Sequence, residues 1–163
     1  MSVIPNYVVS REKAIQQYEA AWHLLNVTFP SVKDPHLLLG IISNLAVSLE
    51  HAMDAILAFE RELQLVPAYS TDFQSKCNTF RAKSMRRNNI APDYLDLMRE
   101  LRGIMESHQK SPIEFQRHDR FVIASSEYEL KFVTSKVVRD YANQAKSFLH
   151  AMEMVLNRNY SAF

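Results

Sequence analysis

The chain has 163 residues, 47% of them hydrophobic and 23% charged, which fits a single globular domain and argues against disorder. It contains two glycines and one cysteine, so a glycine-rich phosphate loop, an internal disulfide and a multi-cysteine zinc site are excluded. The first residues lack the pattern of a signal peptide, and the longest apolar run, LLLGII from Leu37, is too short to cross a bilayer. We therefore expect a cytoplasmic protein that does not contact membranes.

Apolar periodicity and end signals predict five helices, at 10–28, 35–65, 71–88, 92–109 and 135–158. The first is expected to end before Pro30, and it places large apolar side chains at three- and four-residue steps: Ile15, Tyr18, Trp22, Leu25 and Phe29. Asp34 and Pro35 form a strong start signal for the second helix. That helix is apolar over more than half of its circumference, which predicts that it is central.

A different pattern separates the last two helices. Short apolar segments on either side of Ser125–Ser126 predict a β-hairpin over about 120–133. The whole chain is thus predicted to be a single all-α domain. It would form an up-down bundle of four to five helices with a small β-hairpin before the C-terminal helix.

Metal and cofactor sites find little support in the sequence. The Glu-x-x-His motif of di-iron bundles does not occur, and the histidines are scattered. Cys77 is expected to be a buried, inert thiol. We expect no metal and no cofactor.

The middle of the chain is its electropositive part. Residues 71–120 carry 10 basic and 7 acidic side chains, a net charge of +3, against −3 for residues 1–70. A basic stripe on the third helix is predicted to contact nucleic-acid phosphates, with two further arginines from the segment FQRHDRF: Lys76, Lys83, Arg86, Arg87, Arg117 and Arg120. The alternative is a solvated face whose cations complement the helix dipole.

A second polar group lies on the central helix. Glu50 and Asp54 are four residues apart and therefore share one face. This strip either lines a site or forms the exposed face of the helix.

The fourth helix carries the strongest candidate for catalysis. His108 continues its apolar stripe, and Arg102 lies about 120° around the helix and about 9 Å along it. If both side chains reached one groove, His108 could take the proton of a ribose 2′-hydroxyl while Arg102 stabilised the phosphorane. The alternative is a structural histidine that closes the end of the core.

The segment RGIMESH, from Arg102 to His108, resembles the Arg-x(4–6)-His motif of the HEPN superfamily (higher eukaryote and prokaryote nucleotide-binding), and the central helix with LEHAMDAIL is also similar. Gly103 stands where that family often has a polar residue. The resemblance implies a homodimer whose Arg–His pairs face a shared cleft. It also implies a metal-independent endoribonuclease of a toxin–antitoxin or defence system, often paired with a small nucleotidyltransferase.

The leading hypothesis is therefore a HEPN-like protein that binds RNA and cleaves it with Arg102 and His108. The alternative is a catalytically inactive helical-bundle interaction protein, in which a helix face or the hairpin docks a partner. A third hypothesis, an acid–base enzyme acting on a small nucleotide, is disfavoured because the sequence shows no acidic metal cluster.

Overall fold

A computed structural model describes residues 3–110, 113–117, 120–124 and 130–158. The prediction of an all-α bundle with a small β element before the last helix is confirmed. The helices are α1 (Asn6–His23), α2 (Phe29–Val32), α3 (His36–Glu62), α4 (Phe73–Thr79), α5 (Met85–Asn88), α6 (Asp93–Lys110) and α7 (Ser135–Leu156). Two π-helical turns join neighbouring helices without a break: π1 (Leu24–Thr28) and π2 (Phe80–Ser84).

The first helix does not end before Pro30, as the sequence predicted, but continues through π1 to Val32. Proline cannot donate to a carbonyl in the preceding turn, and its ring crowds that turn. The wider π turn accommodates this, because the N–H of Phe29 reaches back five residues to the carbonyl of Leu24. The helix ends at Lys33, which adopts a left-handed conformation with φ of 56°.

The buried face of α1 also differs from the predicted one. Trp22, expected to pack inward, is 50% exposed, whereas Ala14 and Ala21 are fully buried. The small alanines allow the backbones of α1 and α3 to approach closely. The hydroxyl of Ser48 on α3 accordingly donates a 2.7 Å hydrogen bond to the carbonyl of Ala14.

Helix α3 is the centre of the bundle and packs against α1, α6 and α7. The carboxylate of Asp34 accepts a hydrogen bond from the N–H of His36, which agrees with the start signal in the sequence. Six of the seven predicted apolar positions are fully buried: Leu38, Ile42, Leu45, Leu49, Met53 and Ile56. The seventh, Leu63, follows the end of α3 and is 39% exposed. Helix α3 is long and apolar enough to cross a membrane, but 56% of its most apolar stretch is buried within the bundle, and the core helix of a soluble protein has the same character.

The third predicted helix is interrupted in its middle by π2. It begins at Phe73, two residues later than expected, because Asp72 rather than Ser70 or Thr71 caps it and accepts from the N–H of Ser75 at 3.0 Å. Within π2, Phe80 is fully buried and meets the ring of Phe148 on α7 edge to face at 6.0 Å.

The segment before α7 forms three strands rather than the predicted two. They are β1 (Ile113–Arg117), β2 (Arg120–Ala124) and β3 (Leu130–Thr134), antiparallel in the order β1-β2-β3. Strands β2 and β3 correspond to the predicted hairpin and pair Ala124 with Leu130, while the predicted turn at Ser125–Ser126 lies outside the described residues. Ile123 and Val133 are buried in the core shared with the helices, so this small sheet covers part of the bundle. Thr134 then caps α7 and accepts from the N–H of Val137.

Gly40 provides a test of the α3 packing. It lies in the helix interior on an exposed position, and an added Cβ would meet Leu24 Cδ1 at 3.9 Å, an ordinary van der Waals distance. We expect Gly40→Ala to raise the free energy of unfolding by about 0.5–1 kcal/mol, because alanine restricts the unfolded chain without straining the helix. Urea denaturation measures this change, and a lower unfolding midpoint would contradict the packing described for α1 and α3.

Candidate nucleic-acid interface

The guanidinium of Arg102 on α6 is held by two neighbours. Its Nη1 lies 3.2 Å from Glu50 Oε2 on α3, and its Cζ lies 3.9 Å from the centre of the Phe73 ring on α4. Stacking on an aromatic face and pairing with a carboxylate are both favourable for a guanidinium. The Arg102 side chain is 41% exposed, so a phosphate that reached it would compete with Glu50.

Glu50 also belongs to a partly buried network of ion pairs. The Nζ of Lys76 lies 2.9 Å from Glu50 Oε1 and 2.9 Å from Asp54 Oδ1. The two carboxylates are one helical turn apart on α3, and the amine enters between them from α4. The two carboxylates and the two cations, Lys76 and Arg102, therefore carry equal and opposite charge. The sequence left open whether the polar strip of Glu50 and Asp54 lines a site or forms the exposed face of the helix. In the structure, this strip lies between helices and forms ion pairs.

The Lys76 ammonium is stabilised in this position although the residue is only 7% exposed. Burial opposes the charge, but hydrogen bonds to Asp54 and Glu50 outweigh it and raise the pKa of the amine. The neighbouring Cys77 is fully buried, and burial raises the pKa of its thiol. Cys77 is therefore the inert core thiol expected from the sequence.

His108 is not among the side chains that line the described groove beside Arg102. A groove of about 240 Å³ runs between α3 and α6, and the α6 side chains that line it include Arg102, Met105 and Gln109 but not His108. His108 is half-buried and continues the face of the buried Leu101 and Ile104. Because α6 is continuous from Asp93 to Lys110, the separation of about 120° around the helix is kept. None of the described grooves is lined by both predicted catalytic side chains, and their joint action stays a prediction.

Two of the six predicted phosphate-binding cations are engaged inside the protein. Lys76 is bound by the α3 carboxylates, as described above. Arg87 Nη1 lies 3.1 Å from Glu60 Oε2, and its Nη2 donates to the carbonyl of Leu65 at 2.7 Å. Glu60 is completely buried, so Arg87 provides the charge that this carboxylate requires. The predicted stripe of Lys76, Lys83 and Arg87 is therefore not one exposed face.

The other cations of this region point to solvent. Lys83 and Arg86 are exposed and lie three residues apart, and Arg81 is exposed as well. Lys83 lines a groove of about 570 Å³ together with Arg61, from the end of α3, and the loop Gln64–Ala68. We call three side chains the cationic surface: Arg61, Lys83 and Arg86. Arg81 is left out because, two residues before Lys83, it faces another side of the helix. No sequence pattern pointed to Arg61, since it reaches this groove only through the packing of α3 against the segment after it.

The remaining predicted cations lie on the small sheet. Arg117 and Arg120 are directly opposite each other at the β1–β2 end of the register, but their side chains lie outside the described part of the structure. Across the residues that the structure does describe, no group of three or more His, Cys, Asp or Glu side chains is arranged to hold a metal ion.

Comparisons with known proteins add nothing to this geometry: no protein-family model, no curated protein and no solved structure matches the chain.

The ion-pair network gives a testable stability effect. We expect Lys76→Met to lower the free energy of unfolding at neutral pH by about 3 kcal/mol, because Glu50 and Asp54 lose their common cation in a partly buried site. The matched change Lys83→Met, at an exposed lysine, should stay within about 0.5 kcal/mol of wild type. Equal effects of the two substitutions in urea denaturation would contradict a stabilising role for the network.

The stability difference between wild type and Lys76→Met has a defined pH dependence. The pKa of Lys76 is raised in the folded state, so its contribution to stability is fully present below the unfolded pKa of about 10.4. The contribution is lost as the pH rises through the higher folded pKa. The difference in stability between wild type and Lys76→Met should therefore be constant near neutral pH and shrink above about pH 10.4.

Proposed function

We propose that this protein binds RNA through the cationic surface and does so without cleaving it by an Arg102–His108 pair. The observation that carries the proposal is the groove that Arg61 and Lys83 line from different parts of the chain, with the exposed Arg86 one helical turn from Lys83. Within the residues that the structure describes, none of these three cations forms an ion pair with a carboxylate.

Cations without a carboxylate partner favour a polyanionic ligand. Each exposed Lys or Arg that meets a phosphate releases a condensed counterion, which drives binding at low salt. The guanidinium of Arg61 lies 5.6 Å from the centre of the Tyr69 ring, so a partly buried aromatic side chain lies next to the cations. Phosphate contacts of this kind position an RNA chain and read little of its sequence.

The positions of Arg102 and His108 argue against catalysis by that pair within one chain. Arg102 is paired with Glu50 and stacked on Phe73, while His108 follows the core-facing side of α6. A general base must reach the proton that it removes while the cation contacts the same phosphate. The relationship to the HEPN superfamily, the homodimer and a nucleotidyltransferase partner stay predictions, and an inactive interaction protein stays the alternative.

RNA binding can be tested by removing charge from the cationic surface. We expect the triple variant Arg61→Gln, Lys83→Gln, Arg86→Gln to bind a single-stranded RNA oligonucleotide about tenfold or more weakly in low salt. The slope of log affinity against log salt concentration should fall in magnitude by about 2, at roughly 0.7 per lost phosphate contact. Fluorescence anisotropy across a salt series measures both quantities.

A matched variant distinguishes the effect of this surface on RNA binding from the effect of net charge. Lys13, Lys33 and Lys136 are exposed on other parts of the protein, and changing all three to Gln removes the same charge. This control should bind RNA nearly as tightly as wild type. Equal weakening in both triple variants would mean that binding depends on overall charge, and no binding by wild type would contradict the proposed function.

Cleavage is tested separately, with RNA incubated in excess EDTA. We expect wild type, Arg102→Ala and His108→Ala all to leave varied RNA substrates intact, because Arg102 is paired with Glu50 and the described groove that it lines does not include His108. Gel analysis of labelled RNA is the measurement. Metal-independent cleavage by wild type that both substitutions abolish would overturn this part of the proposal and support the Arg–His nuclease.

A further inference from the structure

A second groove lies away from the cationic surface, between the C-terminal half of α7 and the turn that precedes α6. It has a volume of about 660 Å³, and we call it the α7 groove. One wall is formed by α7 and the other by the segment Asn88–Ala91 with Tyr94. Its size is within the range of sites that hold a ligand or a short segment of another protein.

The α7 wall carries a regular stripe of side chains. Lys146, His150 and Met154 are each four residues apart, so they lie above one another over about 12 Å of the helix. Arg158 follows four residues later, just past the end of α7, and its Nη1 donates a 2.9 Å hydrogen bond to Asn88 Oδ1. That bond ties one end of the stripe to the opposite wall.

The basic and acidic side chains described along this groove are all of the basic type. Its described lining includes Lys146, His150 and Arg158 but no aspartate or glutamate. Lys146 and His150 are exposed, and neither forms an ion pair with a carboxylate among the described residues. The surface is therefore complementary to an anionic group.

The groove is also markedly apolar between these basic side chains. Met154 is 62% exposed and lies in the stripe itself, one helical turn from His150. Beneath it are the largely buried Ile90 and Val155, with the half-buried Tyr94 beside them. An exposed methionine next to aliphatic side chains suits an apolar side chain of a partner, because the thioether adapts to different shapes. A phosphate chain would leave this apolar surface unused.

We propose that the α7 groove docks an acidic amphipathic helix of a partner protein. Carboxylates one turn apart on the partner would meet Lys146 and His150, and an apolar side chain on the next turn would pack on Met154. The site is distinct from the cationic surface, and the proposal does not depend on RNA binding.

The probe is an alanine-based helical peptide that carries two glutamates one turn apart and a leucine on the following turn. Its control is the same peptide with both glutamates replaced by glutamine. At low salt, the full-length protein should bind the glutamate peptide, and the glutamine peptide should bind about tenfold more weakly. Amide chemical shift changes in a ¹⁵N-labelled protein should concentrate at Tyr94, Ala151 and Met154.

Two protein variants assign the binding to this stripe. Lys146→Gln with His150→Gln should weaken peptide binding about tenfold, whereas Lys13→Gln with His23→Gln, exposed residues on α1, should leave it unchanged. All four side chains are exposed, and thermal unfolding of each variant establishes that it is folded. Three results would overturn the proposal. The first is no peptide binding by wild type, and the second is equal peptide binding by both double variants. The third is a Lys146→Gln, His150→Gln variant that loses RNA binding instead of peptide binding.

Discussion

The arrangement of this bundle depends on carboxylates carried by its central helix. Helix α3 is enclosed by its neighbours, yet it carries Glu50 and Asp54 at helix contacts and Glu60 at a position with no exposed surface. Such charges are too costly to bury without partners. Three cations from the following helices meet them: Lys76, Arg87 and Arg102.

These ion pairs join the helices in a specific way. Lys76 attaches α4 to the middle of α3, Arg87 attaches α5 to its end, and Arg102 attaches α6 across the same carboxylate as Lys76. The side chain of Asn88 extends the second pair, because its Nδ2 donates to Glu60 while its Oδ1 accepts from Arg158 beyond α7. The polar contacts thereby complement the apolar core in setting which helices are neighbours.

The same contacts divide the basic residues into two groups. Lys76 and Arg87 neutralise α3 and are not free to meet a phosphate, whereas Lys83 and Arg86, from the same stretch of chain, point to solvent. Function must be sought among the cations that α3 leaves unused. Among the described residues, such cations line grooves at the cationic surface and at the α7 groove, which differ in how much apolar surface accompanies the basic side chains.

Local patterns were sufficient for most helices, because capping residues and apolar periodicity act over only a few positions. These local patterns failed where the chain departs from the regular period of the α-helix. Each π turn inserts an extra residue into a helical turn. The first, π1, carries the first helix past Pro30 and accompanies the exposure of Trp22. Strand β1 was missed although Ile113 and Phe115 alternate with polar residues, because a five-residue strand offers little pattern by itself.

Composition, periodicity and end signals were enough to predict the all-α class, the central position of α3, the buried state of Cys77 and the basic character of residues 71–120. Which of those basic side chains remain available followed only from the three-dimensional packing. Spacing along one helix predicts shared faces, but it cannot show that a carboxylate on another helix will capture Lys76 or that the groove lined by Arg102 does not include His108. Those outcomes depend on the packing of segments far apart in the chain, which short-range patterns do not encode.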